Sequence, residues 1–364
     1  MHISELDTPA LLIDLDVMER NLQLVSDYAR THNLRLRPHT KTHKIPGLGR
    51  RQLDSGAVGL TVAKVGEAEV MLGAEPPDML VAYPVIGERK LRRLMEVARR
   101  TELTVALDSR EAASQLSSAA TAAGVQVNVL AEVDAGMGRV GVRPGAELVE
   151  LGRTVAALPG LALQGIAFYP GHIKANDESG LRALAELSVL VCEAAEDFRR
   201  AGLPTEVVSG GSTPTLFRSH QVAGVNEIRP GTYIFNDRNT VACGACEHSD
   251  CAATILVTVV STSRKNGMII DGGSKTFSSD LLITTGEKTF GDILEAPGAT
   301  FFQMNEEHGY VDLGDAGPRF QVGDQVRVIP NHVCAAMNLH ETVYGIRGES
   351  VKQIWRVEGR GKLQ

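Results

Sequence analysis

A lysine between two histidines closes an otherwise strand-like stretch, LRLRPHTKTHK at 34–44. Read as a strand, the alternation puts Arg35, Arg37, His39 and Lys41 on one face, with Leu34 and Leu36 on the other. The leucines can pack beneath a helix layer, which sends the basic set inward. An amine held among other cations has its pKa lowered, and the free amine attacks carbonyls. Lys41 is therefore the candidate nucleophile, with His39 beside it, while Lys44 lies past the strand end. Two glycine-bearing turns suit a phosphate. SGGSTPT offers Ser209, Gly210, Gly211, Ser212 and Thr213 ahead of a proline-marked helix start, and RPGTY offers Gly231, Thr232 and Tyr233. Either turn alone reads as an ordinary loop. A carbonyl-seeking lysine combined with a phosphate cradle implies a phosphorylated aldehyde. Pyridoxal 5′-phosphate (PLP) fits: the lysine forms a Schiff base, the turns take the phosphate, and the ring is an electron sink.

A second centre stands in RVIPNHVCAAMN, where His332 and Cys334 are two apart in what reads as an extended segment. Period two sends both side chains to one side. Imidazole and thiolate together favour a divalent metal, zinc first, with manganese or magnesium as alternatives. Two protein ligands leave coordination positions open for water or substrate, as a catalytic ion requires. The bland alternative is a buried cysteine beside a surface histidine. CGACEHSDC (243–251) looks more metal-like, but no second CxxC follows at zinc-ribbon spacing, so free thiols are expected. Glu67 and Glu69 read as solvated helix charges, and His308 as a surface turn residue. DGGSKT (271–276) reads as a β turn whose lysine could reach a partner's site.

The elements that must position these residues alternate in type. Strand-like runs fall at 34–41, 58–63, 78–83, 103–109, 127–134, 163–169, 206–212 and 227–235. Helix-like segments lie between them, two of them ending at Gly124 and Gly202, where a left-handed cap favours glycine. Eight strand–helix units over roughly 230 residues predict a (β/α)8 TIM-type barrel. An open doubly wound sheet would carry its Gly-rich loop after the first strand, and none stands there. From Cys251 onward, short β runs separated by Gly, Asp and Asn predict a C-terminal all-β domain. The expected boundaries are 9–245 for the barrel and 246–364, with about 1–8, for the β domain. Barrel strands carry active sites at their C-terminal ends. Those ends put Lys41, the 134–139 loop with Arg139, Tyr169, His172, SGGST and RPGTY on one rim.

Bulk properties exclude several classes. The 364 residues are 43% hydrophobic and 22% charged with net charge −7, which gives no nucleic-acid footprint, though a small polyanion could still find a local cationic pocket. The N-terminus lacks a secretory pattern, and no run of eighteen or more apolar residues predicts a membrane span. Five scattered cysteines suit a reducing cytoplasm.

TPALLIDLD, RPHTKTHK, EVDAGMGRVGV, YPGH, SGGSTPT, RPGTY and PNHVC occur in this order. Together they resemble the D-serine dehydratase/D-threonine aldolase family of alanine-racemase-like, fold-type III PLP enzymes. The resemblance implies that Lys41 carries PLP, that Arg139 and Tyr169 lie by it, and that SGGST and RPGT bind its phosphate. It also implies a divalent metal on His332 and Cys334 beside a D-amino acid substrate. Residues before the first barrel helix are expected to join the β domain, and that domain to approach the other subunit's barrel in a homodimer. Members with HxC in the metal motif tend to be dehydratases and those with HxD aldolases. Dehydration of a D-3-hydroxy amino acid to a keto acid and ammonia is therefore the leading expectation. Retro-aldol cleavage to glycine and an aldehyde, with His172 as base, is the alternative. A racemase would need an acid/base partner such as Tyr310 or Tyr344, and a non-catalytic PLP carrier would not need the β domain.

Overall fold

The chain enters through strand β1 (Ala10–Asp14), buried except at its last residue, and helix α1 (Leu15–Thr31). In this computed structural model, residues 1–282, 287–315 and 319–364 are described. Two compact units result: Leu24–Gly231 with Gly361–Gln364, and Met1–Gln23 with Thr232–Arg360.

In the first unit, eight strands follow in chain order. They are β2 (Arg35–Leu36), β3 (Leu60–Val62), β4 (Asp78–Val81), β5 (Glu102–Leu107), β6 (Val127–Glu132), β7 (Leu161–Ala167), β8 (Val207–Gly210) and β9 (Glu227–Ile228). They form one parallel sheet in the order β2-β9-β8-β7-β6-β5-β4-β3. Just past β2, His39 bridges Thr61 in parallel, and the N–H groups of Val58 and Thr61 donate to Leu36 O and Pro38 O. These contacts bring the first and last strands of that order together, which is the barrel the alternation predicts. Parallel strands covered on both faces read as apolar runs. One side, with Leu60, Val62, Met79, Val81, Val105 and Val129, packs into the large outer core. The other, with Leu80, Ala106, Leu130, Ala167 and Val207, forms an inner cluster.

The covering helices are α2 (Pro46–Asp54), α3 (Val65–Met71), α4 (Glu88–Ala98), α5 (Arg110–Ala123), α6 (Ala146–Ala157) and α7 (Glu178–Arg200). The expected stops hold: α5 ends on Gly124, and α7 just before Gly202. Two expected strands are much shorter than their pattern. Of 34–41 only Arg35–Leu36 is a strand, and of 227–235 only Glu227–Ile228. Pro38 and Pro230 have no N–H for a ladder, and the chain then winds into 3-10 turns at Thr40–Thr42 and Thr232–Ile234. Lys41 thus stands on a turn rather than on a strand face.

The second unit is an antiparallel β domain. Its strands are β10 (Ala253–Ser261), β11 (Gly267–Ile270), β12 (Gly291–Ile293), β13 (Thr300–Met304), β14 (Gly309–Asp312), β15 (Gln325–Pro330), β16 (Thr342–Arg347) and β17 (Ser350–Arg356). β1 lies within this sheet, antiparallel to β10 and parallel to β16. The unit also holds the short helices α8 (Arg238–Ala242), α9 (Ser274–Phe277) and α10 (Val333–Leu339). Among the described residues, no helix is long and apolar enough to cross a membrane.

Candidate active site

Lys41 is exposed on its turn, and the backbone N–H of that residue donates to Nδ1 of His39, the N-cap, at 3.4 Å. The Lys41 amine stands 5.9 Å from the centre of the Tyr169 ring, and the Arg139 guanidinium 4.8 Å from the same ring. Both distances are within the range at which a ring face attracts a cation. The structure therefore brings Lys41, His39, Arg139 and Tyr169 together. Burial first, then the charges of Lys41 and Arg229, hold the His39 imidazole well below its ordinary pKa, so it is neutral at pH 7. Arg139 is carried by a loop that Asp134 organises, accepting the N–H groups of Gly136, Met137 and Gly138 at 3.0 Å each. His172 is exposed and lies against the same loop, since a methyl added to Gly136 would stand 3.3 Å from its Cε1.

The two phosphate-suited turns have distinct surroundings. Gly211 has φ +94°, which L side chains rarely adopt. Ser212 and Thr213 after it are buried, and Ser212 Oγ lies 3.2 Å from Thr215 Oγ1 ahead of a 3-10 helix, Leu216–Gln221. Gly231 is needed for close approach. A methyl there would stand 2.9 Å from His39 O and 2.8 Å from Thr42 Oγ1, so Gly231 packs directly on the lysine turn. Thr232 and Tyr233 fall in the second unit, where Tyr233 is buried and Thr232 Oγ1 is 3.7 Å from Cys334 Sγ.

Inside the barrel the basic face of β2 finds its anions. Arg37, 3% exposed, reaches Asp78 Oδ1 at 2.5 Å and Glu227 Oε2 at 2.9 Å. Ser209 is fully buried: its hydroxyl donates to Glu227 at 2.7 Å and accepts from Arg229 at 2.5 Å, and Arg229 also donates to Phe168 O at 3.0 Å. Burial raises the pKa of the Glu132 carboxyl, against the pull of Arg229 and Arg139. The guanidinium of Arg229, in the RPGT motif, is a site group that sequence reading passed over.

The geometry of His332 and Cys334 differs from the extended one expected. His332 is the extended N-cap of α10, and Cys334 is already in the helix. The two side chains nevertheless meet. Burial works against charge on His332, but Cys334 and Asp237 outweigh it and push its pKa up to about 11. Asp237, 1% exposed, places Oδ2 at 3.4 Å from His332 Nδ1 and 3.0 Å from the Val333 N–H it accepts. Its Oδ1 caps α8 through Thr240 N–H and hydroxyl at 2.9 and 2.8 Å. Asp237 was missed in the sequence, although aspartate three residues before threonine at a helix start is an N-cap pattern. No group of three His, Cys, Asp or Glu gathers at metal-binding spacing among the described residues. The donor set is thus a soft and borderline pair with a supporting carboxylate, which fits an ion that keeps other positions open. An accessible amine beside an aromatic face, on a turn that Gly231 packs against, likewise fits PLP.

Glu67 is not the solvated charge expected of it. It is 4% exposed and its Oε1 lies 3.2 Å from the Lys44 amine, whereas Glu69 sits near the surface with Arg93. Among the described residues, Cys192, Cys243, Cys246, Cys251 and Cys334 form no disulfide.

Comparison with known proteins agrees with this architecture. Residues 13–239 match the alanine racemase N-terminal domain family, and residues 252–346 the serine dehydratase domain family. A D-threonine aldolase of Arthrobacter sp. is 32% identical over 99% of this chain and 94% of its own. The D-threo-3-hydroxyaspartate dehydratase of Delftia sp. (strain HT23) is 33% identical over 96% and 97%. The crystal structure of D-threonine aldolase from Filomicrobium marinum superposes with a TM-score of 0.93 at 32% identity, covering 99% of this chain and 98% of that one. Solved forms of a D-threo-3-hydroxyaspartate dehydratase include a cysteine-to-alanine mutant described as metal-free and a histidine-to-alanine mutant. The fold is that of the alanine-racemase-like enzymes. The chain belongs to the D-serine dehydratase/D-threonine aldolase family and is a PLP-dependent lyase.

Proposed function

We propose that this lyase eliminates water from a D-3-hydroxy amino acid, in the manner of D-serine dehydratase, leaving an enamine that water hydrolyses to a 2-keto acid and ammonia. The observation that carries the reading is the contact of His332 with Cys334 at the start of α10. The histidine and cysteine mutated in the solved dehydratase also stand two positions apart, and its cysteine mutant is described as metal-free. Lys41 would hold PLP, with Tyr169 and Arg139 beside the ring and Ser209–Thr213 and Gly231–Tyr233 on the phosphate side. Bound PLP supplies an electron sink for negative charge at Cα. A divalent ion on His332 and Cys334, zinc by preference, supplies Lewis-acid help to the departing hydroxyl.

The chain's own groups do the rest. The Lys41 amine moves the proton at Cα. His39, neutral and hydrogen-bonded to the Lys41 backbone, adds no cation next to that amine. The Arg139 guanidinium over Tyr169 offers a fixed positive charge to the substrate carboxylate. Asp237 orients His332 by receiving its Nδ1, leaving Nε2 as the ligand atom. The working molecule in this reading is a homodimer, testable by sedimentation.

The aldolase reading is favoured by the Arthrobacter relative and by one feature of the site. His172 is exposed against the loop that carries Arg139, where it could take a hydroxyl proton. Incubating holoenzyme with D-serine and with D-threonine, and assaying ammonia and keto acid against glycine and aldehyde, separates the two. Aldehyde as the sole product would overturn the dehydratase reading.

A further inference from the structure

The turn that carries Lys41 is fastened to β3 on both sides of the lysine. Before it, Thr61 donates its hydroxyl to Arg37 O at 2.8 Å and its N–H to Pro38 O at 2.8 Å. Thr40 donates its hydroxyl to Thr61 O at 3.1 Å. After it, the turn ends on Lys44, whose φ of +56° is uncommon for a residue with a side chain. The Lys44 side chain runs inward to Glu67 Oε1 at 3.2 Å, with Lys44 7% and Glu67 4% exposed. The second oxygen of Glu67 accepts the N–H of Ala63, the residue after β3, at 2.8 Å. Between the two lysines, His43 accepts the Ile45 N–H on Nδ1 at 3.1 Å and pairs with Gln52 at 3.1 Å. Burial lowers its pKa to about 4, so it adds no charge at neutral pH.

A buried ion pair is weak evidence for stability, because desolvation offsets most of its attraction. Its better-attested use is to specify one conformation. Here the pair joins a left-handed lysine to the end of the adjacent strand, three residues from the candidate nucleophile. We propose that Lys44 and Glu67 are a positioning pair, which fixes the Thr40–Lys44 backbone so that the Lys41 amine is held in its working place. Glu67 touches no reacting atom in this assignment; it acts through Lys44 and the Ala63 N–H. The assignment rests on Lys41 being the cofactor-bearing lysine.

The test compares PLP-loaded wild type, Glu67→Gln, Glu67→Asp and the double variant Lys44→Met with Glu67→Met. The Lys41-dependent band at about 420 nm is titrated with pH, and kcat and KM are measured per bound PLP alongside thermal stability. Misplacing a reacting group by about 1 Å costs on the order of 100-fold, so Glu67→Gln should lower kcat by about 10- to 100-fold with little change in KM, and should move the pH titration of the band. Glu67→Asp should recover much of the rate. The double variant, with apolar side chains in the buried space, should recover stability without recovering kcat. The inference is overturned if Glu67→Gln keeps kcat and the band's pH profile, or if the double variant regains kcat together with stability. A wild type whose band survives Lys41→Ala would instead overturn the cofactor assignment on which the inference rests.

Discussion

Replacing Arg37 by methionine removes the cation that Glu227 and Asp78 share inside the barrel. Both Arg37 and Glu227 are nearly or fully buried, at 3% and 0% exposure, and their closest atoms are 2.9 Å apart. Breaking a buried pair by deleting one partner costs about 3–5 kcal/mol, because the other charge is left uncompensated. Glu227 keeps the Ser209 hydroxyl at 2.7 Å and the half-exposed Arg35 at 3.7 Å, which places the expected loss near the low end, about 3 kcal/mol at pH 7. For a unit of this size each kcal/mol moves Tm by about 2–4 °C, so the variant should melt roughly 6–12 °C lower. The pH dependence has a definite sign. Burial raises the Glu227 pKa, but Arg37, with smaller help from the Ser209 hydroxyl and Arg35, outweighs it, so the folded value lies below the ordinary one. That contribution is present above about pH 4.3, the unfolded carboxyl value, and is lost as pH falls through the folded pKa. Without Arg37, burial dominates and the carboxyl pKa rises above its unfolded value. Protonation then relieves the variant first, and the Tm gap to wild type should narrow between pH 7 and pH 4. Calorimetric scans across that range test this. A gap that stays constant with pH, or a cost under about 1 kcal/mol at pH 7, would refute the assignment of Arg37 as the counter-ion of Glu227.

Much of the barrel is legible because a parallel strand buried on both faces has few residue choices. The runs at 78–83, 103–109 and 127–134 became β4, β5 and β6 nearly as read. The site-bearing strands read less well. Alternation in LRLRPHTK suggests one basic face, but Pro38 interrupts the ladder, so Arg37 turns to internal carboxylates while Lys41 leaves on a 3-10 turn. The same occurs at RPGTYIF, where the pattern hides a turn made possible by Gly231. His332 and Cys334 came together for a reason other than the one inferred. An extended N-cap followed by a helical turn juxtaposes positions two apart as well as a strand does. What the sequence could not give was the long-range pairing. Glu67 in KVGEAEV looks like any surface helix acid, and only the tertiary fold brings the buried Lys44 to it. Asp237 lies almost a hundred residues from His332, and its N-cap pattern announces a helix start without announcing the contact with that histidine.

Two further outcomes follow from the site. Gly231→Ala would drive a methyl toward His39 O and Thr42 Oγ1, at 2.9 and 2.8 Å, and backbone cannot yield as a flexible side chain does. The expected cost is about 1–3 kcal/mol, and PLP titrations should show weakened binding; unchanged affinity would place the phosphate away from this turn. Asp237→Asn keeps the shape of the side chain but withdraws the negative charge that faces His332. The Oδ1 bonds that cap α8 can survive if the amide oxygen takes that position, so the helix start need not be lost. The other position, now an amide nitrogen, can neither receive the His332 proton nor accept the Val333 N–H. Losing such a support typically weakens metal binding by about 10–100-fold, so zinc affinity measured by chelator competition should drop by that order while PLP binding is retained. Zinc affinity equal to wild type would mean that the carboxylate serves only as a cap, and that His332 is oriented for metal by something other than Asp237.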